Sequence, residues 1–100
     1  MAANRQLTRI RVESHTDDRG VGRVNLQLSR RRARAVARFL IDRGIDAQRL
    51  EAYGCGENLP IESNRSAIGR KANRRVEFHI LEPTPPSGVR PTAGCEPADL

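Results

Sequence analysis

Asp17 and Arg32, fifteen positions apart, are the residues through which this chain could do chemistry. Asp17 offers a carboxylate in the run Ser14-His15-Thr16-Asp17. Arg32 offers a guanidinium, a planar fork of donors that keeps its proton in proteins. Read at 3.6 residues per turn, 25–43 is an amphipathic helix in which Leu28, Ala35, Val36, Phe39 and Leu40 share an arc with Arg32 inside it. Arg30, Arg31, Arg34 and Arg38 then point to water. An arginine directed at a core must meet an anion, because an unpaired buried charge is expensive. That anion is either the protein's own, with Asp17 the nearest candidate upstream, or a ligand's. A pair of this kind is either an internal ion pair fixing the loop against the helix or part of a site for a ligand's anionic group.

Other chemistries find less support. His15 with Asp17 and Asp18 suggests a metal, and His15 with Ser29 or Cys55 a hydrolase, but no third ligand falls at a useful spacing and no nucleophile turn is present. The expectation is therefore no metal, no cofactor and no catalysis. His15 is expected to hydrogen-bond a backbone group and brace its loop. His79, alternating with Phe78 and Ile80, is expected on the opposite, wetter face of its strand. Cys55 and Cys95 lie 40 residues apart in no metal-binding spacing, which leaves a disulfide, and with it the redox compartment, open. The Arg30–Arg38 face lacks interleaved aromatics and reads as a solvated surface, with nucleic-acid binding as the alternative.

The elements that must position these groups can be read in order. Residues 7–13 (LTRIRVE) alternate as a half-buried strand, with Ile10 and Val12 on one face and Arg9 and Arg11 on the other. Residues 14–24 form a loop. Asn25 would cap the helix, and Gly44 would end it. Asp46 would cap one further turn. Residues 50–53 (LEAY) are a short second strand ending in the turn Gly54-Cys55-Gly56. A polar connection over 57–73 holds one helical turn around Ser66–Lys71, and 74–81 (RRVEFHIL) is a third strand with Val76, Phe78 and Ile80 on one face. The segment 83–100 contains five of the six prolines and little to bury, and is expected to be disordered, leaving 1–82 as the domain.

Composition bounds the function. One hundred residues with three aromatics make one small, aliphatic-cored domain. The formal charge of +6 and the pI near 10.9 favour an acidic partner. No run is apolar enough for a signal peptide or a membrane span.

The stretch 10–44, through His15-Thr16-Asp17, Gly20, Asn25, Leu28-Ser29, Arg32-Ala33, Val36 and Gly44, resembles the OmpA-like peptidoglycan-binding domain. So do Tyr53-Gly54-Cys55-Gly56-Glu57, Pro60, Asn64, Gly69-Arg70 and Asn73-Arg74-Arg75-Val76-Glu77, and the order holds over roughly 7–82. The resemblance implies an α+β fold, a two-layer sandwich of a mixed sheet with one long helix on one face. It implies non-covalent binding of peptidoglycan through the diaminopimelate residue of the stem peptide, at the periplasmic face of a bacterial envelope. By motif position Arg32 would grip the carboxylate and Asp17 the ammonium. Thr16 and Asn25 would line the loop, Leu28 would form a wall, and Asn73 and Arg75 would close the far side. Three departures stand out: Ser14 where the family usually has Gly, Cys55 where it has an aromatic, and the absence of the family's first strand and first helix. The last implies an N-terminally shortened domain with part of one sheet face uncovered.

Overall fold

The structure, a computed structural model, describes residues 9–100. Leu7 and Thr8, the start of the expected first strand, lie outside the described residues. The elements are β1 (Arg9–His15), α1 (Gly22–Asp42), a 3-10 turn (Ala47–Arg49), β2 (Leu50–Gly56), α2 (Ala67–Asn73), β3 (Arg75–Glu82) and β4 (Glu96–Ala98). They build one mixed sheet in the order β3-β1-β2-β4. β1 and β2 run parallel and are joined through α1, while β3 and β4 pair antiparallel with β1 and β2.

Alternation along the strands gives the sheet two different faces. Val12, Leu50 and Ala52 pack against Ala33 and Ala37 of α1, and Ile10, Val36, Leu40, Ile41 and Ile45 surround that core. Local signals behave as the sequence suggests. Gly44 has φ +100°, its N–H donates to Ile41 O, and Ile45 N–H reaches back to Leu40 O, a Schellman ending. Asp46 caps the 3-10 turn, and Ser66 caps α2.

The helix is rotated from its expected setting. Its fully covered residues are Asn25, Ser29, Ala33 and Ala37, one row at i, i+4, whereas Ala35 and Phe39 are exposed. Small residues are buried because β2 lets the helix come very close. A Cβ on Gly54 would lie 2.3 Å from the backbone N of Arg30, and one on Gly56 would lie 3.1 Å from Leu26. Ser29 Oγ fastens the contact, accepting from Gly56 N–H at 2.8 Å and donating to Leu26 O at 2.7 Å. Gly54-Cys55-Gly56 is therefore the end of a strand under a helix, not a turn. Gly54→Ala must push α1 off the sheet and is expected to destabilise by about 3 kcal/mol or more, read as a lower urea midpoint.

α1 also begins a turn earlier than expected, at Gly22, with Val21 at the cap position. Asn25 is consequently inside the helix and buried rather than its cap.

The second correction concerns 83–100. Composition predicts disorder beyond residue 82, yet Glu96–Ala98 pairs with β2 and Cys95 is disulfide-bonded to Cys55. Side-chain contacts also hold the segment. Arg90 lies on Glu13, and Arg30 of α1, expected to point to water, donates to Pro97 O at 2.9 Å. The sheet therefore does not end at residue 82. Composition failed here because a covalent tie and arginine clasps add to the small apolar burial that Ala98 and Leu100 supply against the core.

The tail crosses the sheet face opposite α1, which carries Arg11, Glu13, His15, Glu77 and His79. Glu13 is fully buried there. Burial pushes its carboxyl up, but the nearby His15 and Arg90, with the charge of His79, outweigh that and hold it at about 2. On the α1 side the helix covers β1 and β2 but not β3. Val76, Phe78 and Ile80 remain 40%, 56% and 52% exposed.

Candidate functional site

The antiparallel register sets Ser14 opposite Val76 and His15 opposite Arg75, so the end of β1 meets the start of β3. Beside α1, at this corner, Ser14, His15, Arg32, Arg74, Arg75 and Val76 line an open cleft of about 210 Å³. Asp17 stands just past β1 on the adjoining loop. Its Oδ1 accepts from Arg19 N–H at 3.0 Å and its Oδ2 from Arg74 Nη1 at 2.7 Å. These two contacts lower its pKa against a smaller opposing effect of burial, so Asp17 stays ionised.

Thr16 and Asn25 shape this loop from behind. Thr16 N–H donates to Gly56 O at 2.9 Å and its hydroxyl to Asp17 O at 2.8 Å. Asn25 Nδ2 donates to Arg19 O at 2.9 Å. Both residues are buried, and they set where the Asp17 carboxylate sits rather than presenting groups to the cleft.

Arg32 departs from its expected placement. It is exposed, and Asp17 pairs with Arg74 instead. The reason is the helix rotation: with Ser29, Ala33 and Ala37 facing the sheet, Arg32 falls on the flank of the buried row, at the cleft's edge. Among the described residues it makes no ion pair. Arg75 reaches the cleft but is occupied, contacting Glu77 and donating to Leu59 O at 3.0 Å and Asn73 O at 3.2 Å. Arg74 is held by Asp17. The cleft thus has one guanidinium with no partner of its own.

Two expected site residues lie elsewhere. Asn73 is fully buried, and its amide is fully used. Its Oδ1 accepts from Ile61 and Glu62 N–H, and its Nδ2 donates to Glu62 O and to Asn64 Oδ1, so it braces the 60–64 loop. Leu28 is half-buried and outside the cleft lining. His15, expected to brace its loop through a backbone hydrogen bond, makes none. Arg74 was not singled out from the sequence, although a signal existed. It shares parity with Val76, Phe78 and Ile80, which places it on the helix side of the sheet next to Arg32.

Strand order, helix connection and corner cleft define the class: a small α+β domain with a basic cleft at the end of its central strand. The chain belongs to the OmpA family, whose sequence profile matches residues 1–74. It is 45% identical over 67 residues to the outer membrane protein A of Bordetella avium, a match spanning 67% of this chain and 34% of that one. It is 39% identical over 72 residues to the peptidoglycan-binding protein ArfA of Mycobacterium tuberculosis, spanning 72% of this chain and 22% of that one. In three dimensions it resembles the cell wall anchor of the T6SS from Pseudomonas aeruginosa, with a TM-score of 0.64 and 37% identity, covering 71% of this chain and 52% of that one. The chain spans only about a third or less of the length of these curated relatives. No helix among the described residues is long and apolar enough to cross a membrane.

Proposed function

We propose that this chain is a non-catalytic peptidoglycan-binding module of the bacterial cell envelope, and that its corner cleft receives the free end of a diaminopimelate side chain. The observation that carries the reading is the unpartnered Arg32 in a cleft whose Arg74 is paired with an ionised Asp17 on the adjoining loop. Diaminopimelate ends in a carboxylate and an ammonium on one carbon. Arg32 supplies a planar fork for the carboxylate. Asp17 supplies the counter-charge for the ammonium, which takes the place of the Arg74 guanidinium now on Oδ2. Arg74, released, remains beside the bound carboxylate. The relatives support the same reading, one being named as a peptidoglycan-binding protein and one as a cell wall anchor. A single zwitterion buries little area, so each contact is weak and anchoring relies on repetition along the wall.

The test is a chemical-shift titration with free meso-diaminopimelate and, separately, with the blocked amino acid Nα-acetyl-L-lysine amide, which keeps a side-chain ammonium but has no carbon bearing both an ammonium and a carboxylate. Saturable shifts are expected around Asp17, Arg32 and Arg74 with meso-diaminopimelate and much weaker ones with the blocked lysine. Equal responses to the two compounds, or shifts confined to the outer helix face at Arg31, Arg34 and Arg38, would refute this site.

A further inference from the structure

The sheet ends on two unlike edges. The β4 edge is three residues long and carries Pro97, so it offers little for another strand to pair with. The β3 edge is eight residues long and holds no proline. Its register with β1 is regular over 75–80 and slips only beyond that run. The tail passes β3 on its way to Glu13, yet among the described residues no backbone hydrogen bond joins it to the strand. A gap of about 510 Å³ lies instead between 78–80 and the tail at 85–91. A strand edge of this length presents a row of free N–H and C=O groups, on which a second strand can form.

The side chains say which strand fits. Val76, Phe78 and Ile80 stand half-exposed on the helix side, and Glu77 and His79 alternate with them on the polar side. Residues directly opposite in an antiparallel pair share a face, so the partner must set apolar against apolar and polar against polar. A second copy of β3 does this. With a two-fold axis at Phe78, Phe78 meets its own copy, Val76 meets Ile80, and Glu77 meets His79, the last two contacts each made twice. Other registers fail. An axis at Glu77 sets that carboxylate against itself, a like-charge pair. An axis at His79 sets Val76 against Glu82 and Glu77 against Leu81. Moving the axis to Val76 or Ile80 runs half of each strand past the end of the other. An axis between two residues turns one copy over and lays its apolar row against the charged row of the other.

We propose that β3 pairs antiparallel with β3 of a second copy of this chain, joining two four-stranded sheets into one of eight strands about an axis at Phe78. Both α1 helices then lie on the same side, with the two apolar rows merged into one strip between them. On the polar side Glu77 and His79 alternate across the axis. The pairing uses the open edge of each copy once and leaves the short β4 edges outside, so assembly stops at two. It is independent of the wall-binding reading, whose Arg32 and Asp17 lie on other elements.

The experiment takes the full chain, with the Cys55–Cys95 disulfide intact, through sedimentation equilibrium at rising concentration. The mass is expected to climb from 11.1 kDa to twice that value and to stop there. Phe78→Lys sets two ammonium groups against each other on the axis. It is expected to keep the circular dichroism of the natural chain and to weaken association by about tenfold or more. Cross-linking reads the register without relying on that variant. Because Cys55 and Cys95 are joined to each other, an introduced cysteine is the one free thiol of the chain. Oxidation should link Phe78→Cys to itself, and should link Val76→Cys to Ile80→Cys in a mixture of the two, while Val76→Cys alone stays unlinked. A chain that remains monomeric at the highest concentration, leaving the edge to a strand of some other protein, would overturn the proposal. So would growth beyond two copies, undiminished association of a folded Phe78→Lys protein, self-linking of Val76→Cys, or failure of both expected cross-links.

Discussion

Arg32→Ala is expected to abolish retention on diaminopimelate-type peptidoglycan while leaving the fold's stability within about 0.5 kcal/mol of the natural chain. The two halves of this expectation have one cause. Arg32 is exposed and makes no ion pair among the described residues, so the folded domain loses nothing with it. A bound carboxylate, in contrast, loses a charge-assisted hydrogen-bonded pair, about 2 kcal/mol or roughly thirty-fold in affinity. Weak single contacts summed over a polymer turn that factor into loss of co-sedimentation. Asp17→Asn tests the other pole with little structural disturbance, because an amide oxygen can still accept from Arg19 N–H while the counter-charge for the ammonium is gone. It should lose retention to a similar degree. Arg74→Gln separates a placeholder from a gripping residue, and a change of less than about threefold is expected if Arg74 only holds Asp17 until the ligand arrives. Reversing Arg31, Arg34 and Arg38 to Glu should leave retention on the wall intact and would remove any nucleic-acid binding. Loss of retention in that triple variant, with Arg32→Ala still binding, would move the site to the outer helix face.

The cleft was half legible in the sequence, and the reason lies in what hydrophobic patterning measures. Patterning ranks residues by how much they gain from burial. It does not say which are covered. Leu28, Val36 and Phe39 form an apolar stripe in the sequence, with Arg32 inside it. The helix instead buries Asn25, Ser29, Ala33 and Ala37, because Gly54 and Gly56 on β2 admit only small residues at that distance. The signal was present as a row of small residues facing two glycines on a strand not yet paired. The strands fared better: the alternation of Ile10 and Val12, and of Val76, Phe78 and Ile80, needs no partner to be read. The placement of Glu13 opposite Glu77, with His15 and His79 on either side, depends on the β1–β3 register, which no spacing within either strand reveals. Asn73 departs from its expected role for a related reason. A motif position marks a constrained residue, and here the constraint is the backbone of residues 61 and 62 and the side chain of Asn64 rather than a ligand.

Breaking the Cys55–Cys95 disulfide, by dithiothreitol or by Cys95→Ser, should lower stability by about 4 kcal/mol on the chain-entropy estimate for a loop of this size. The cross-link closes a loop over a sequence separation of 40. For a domain of this length the shift in melting temperature is roughly 15–30 °C. The estimate gains from what the tie holds in place. Without it, β4 keeps only three paired residues, at the sheet edge, too short a strand to persist alone. Arg90, anchored a few residues before Cys95, would then lose the geometry that places it on Glu13. Glu13 is fully buried, and a buried carboxylate deprived of a cation is costly. Amide exchange should therefore accelerate at Glu96–Ala98 and spread to the polar face around Glu13, while α1 and the β1–β2 pair, packed on the other side, exchange at rates set only by the lower global stability. A melting temperature unmoved by reductant would mean that the tail contributes nothing to the sheet, and that the disorder suggested by its prolines describes it after all.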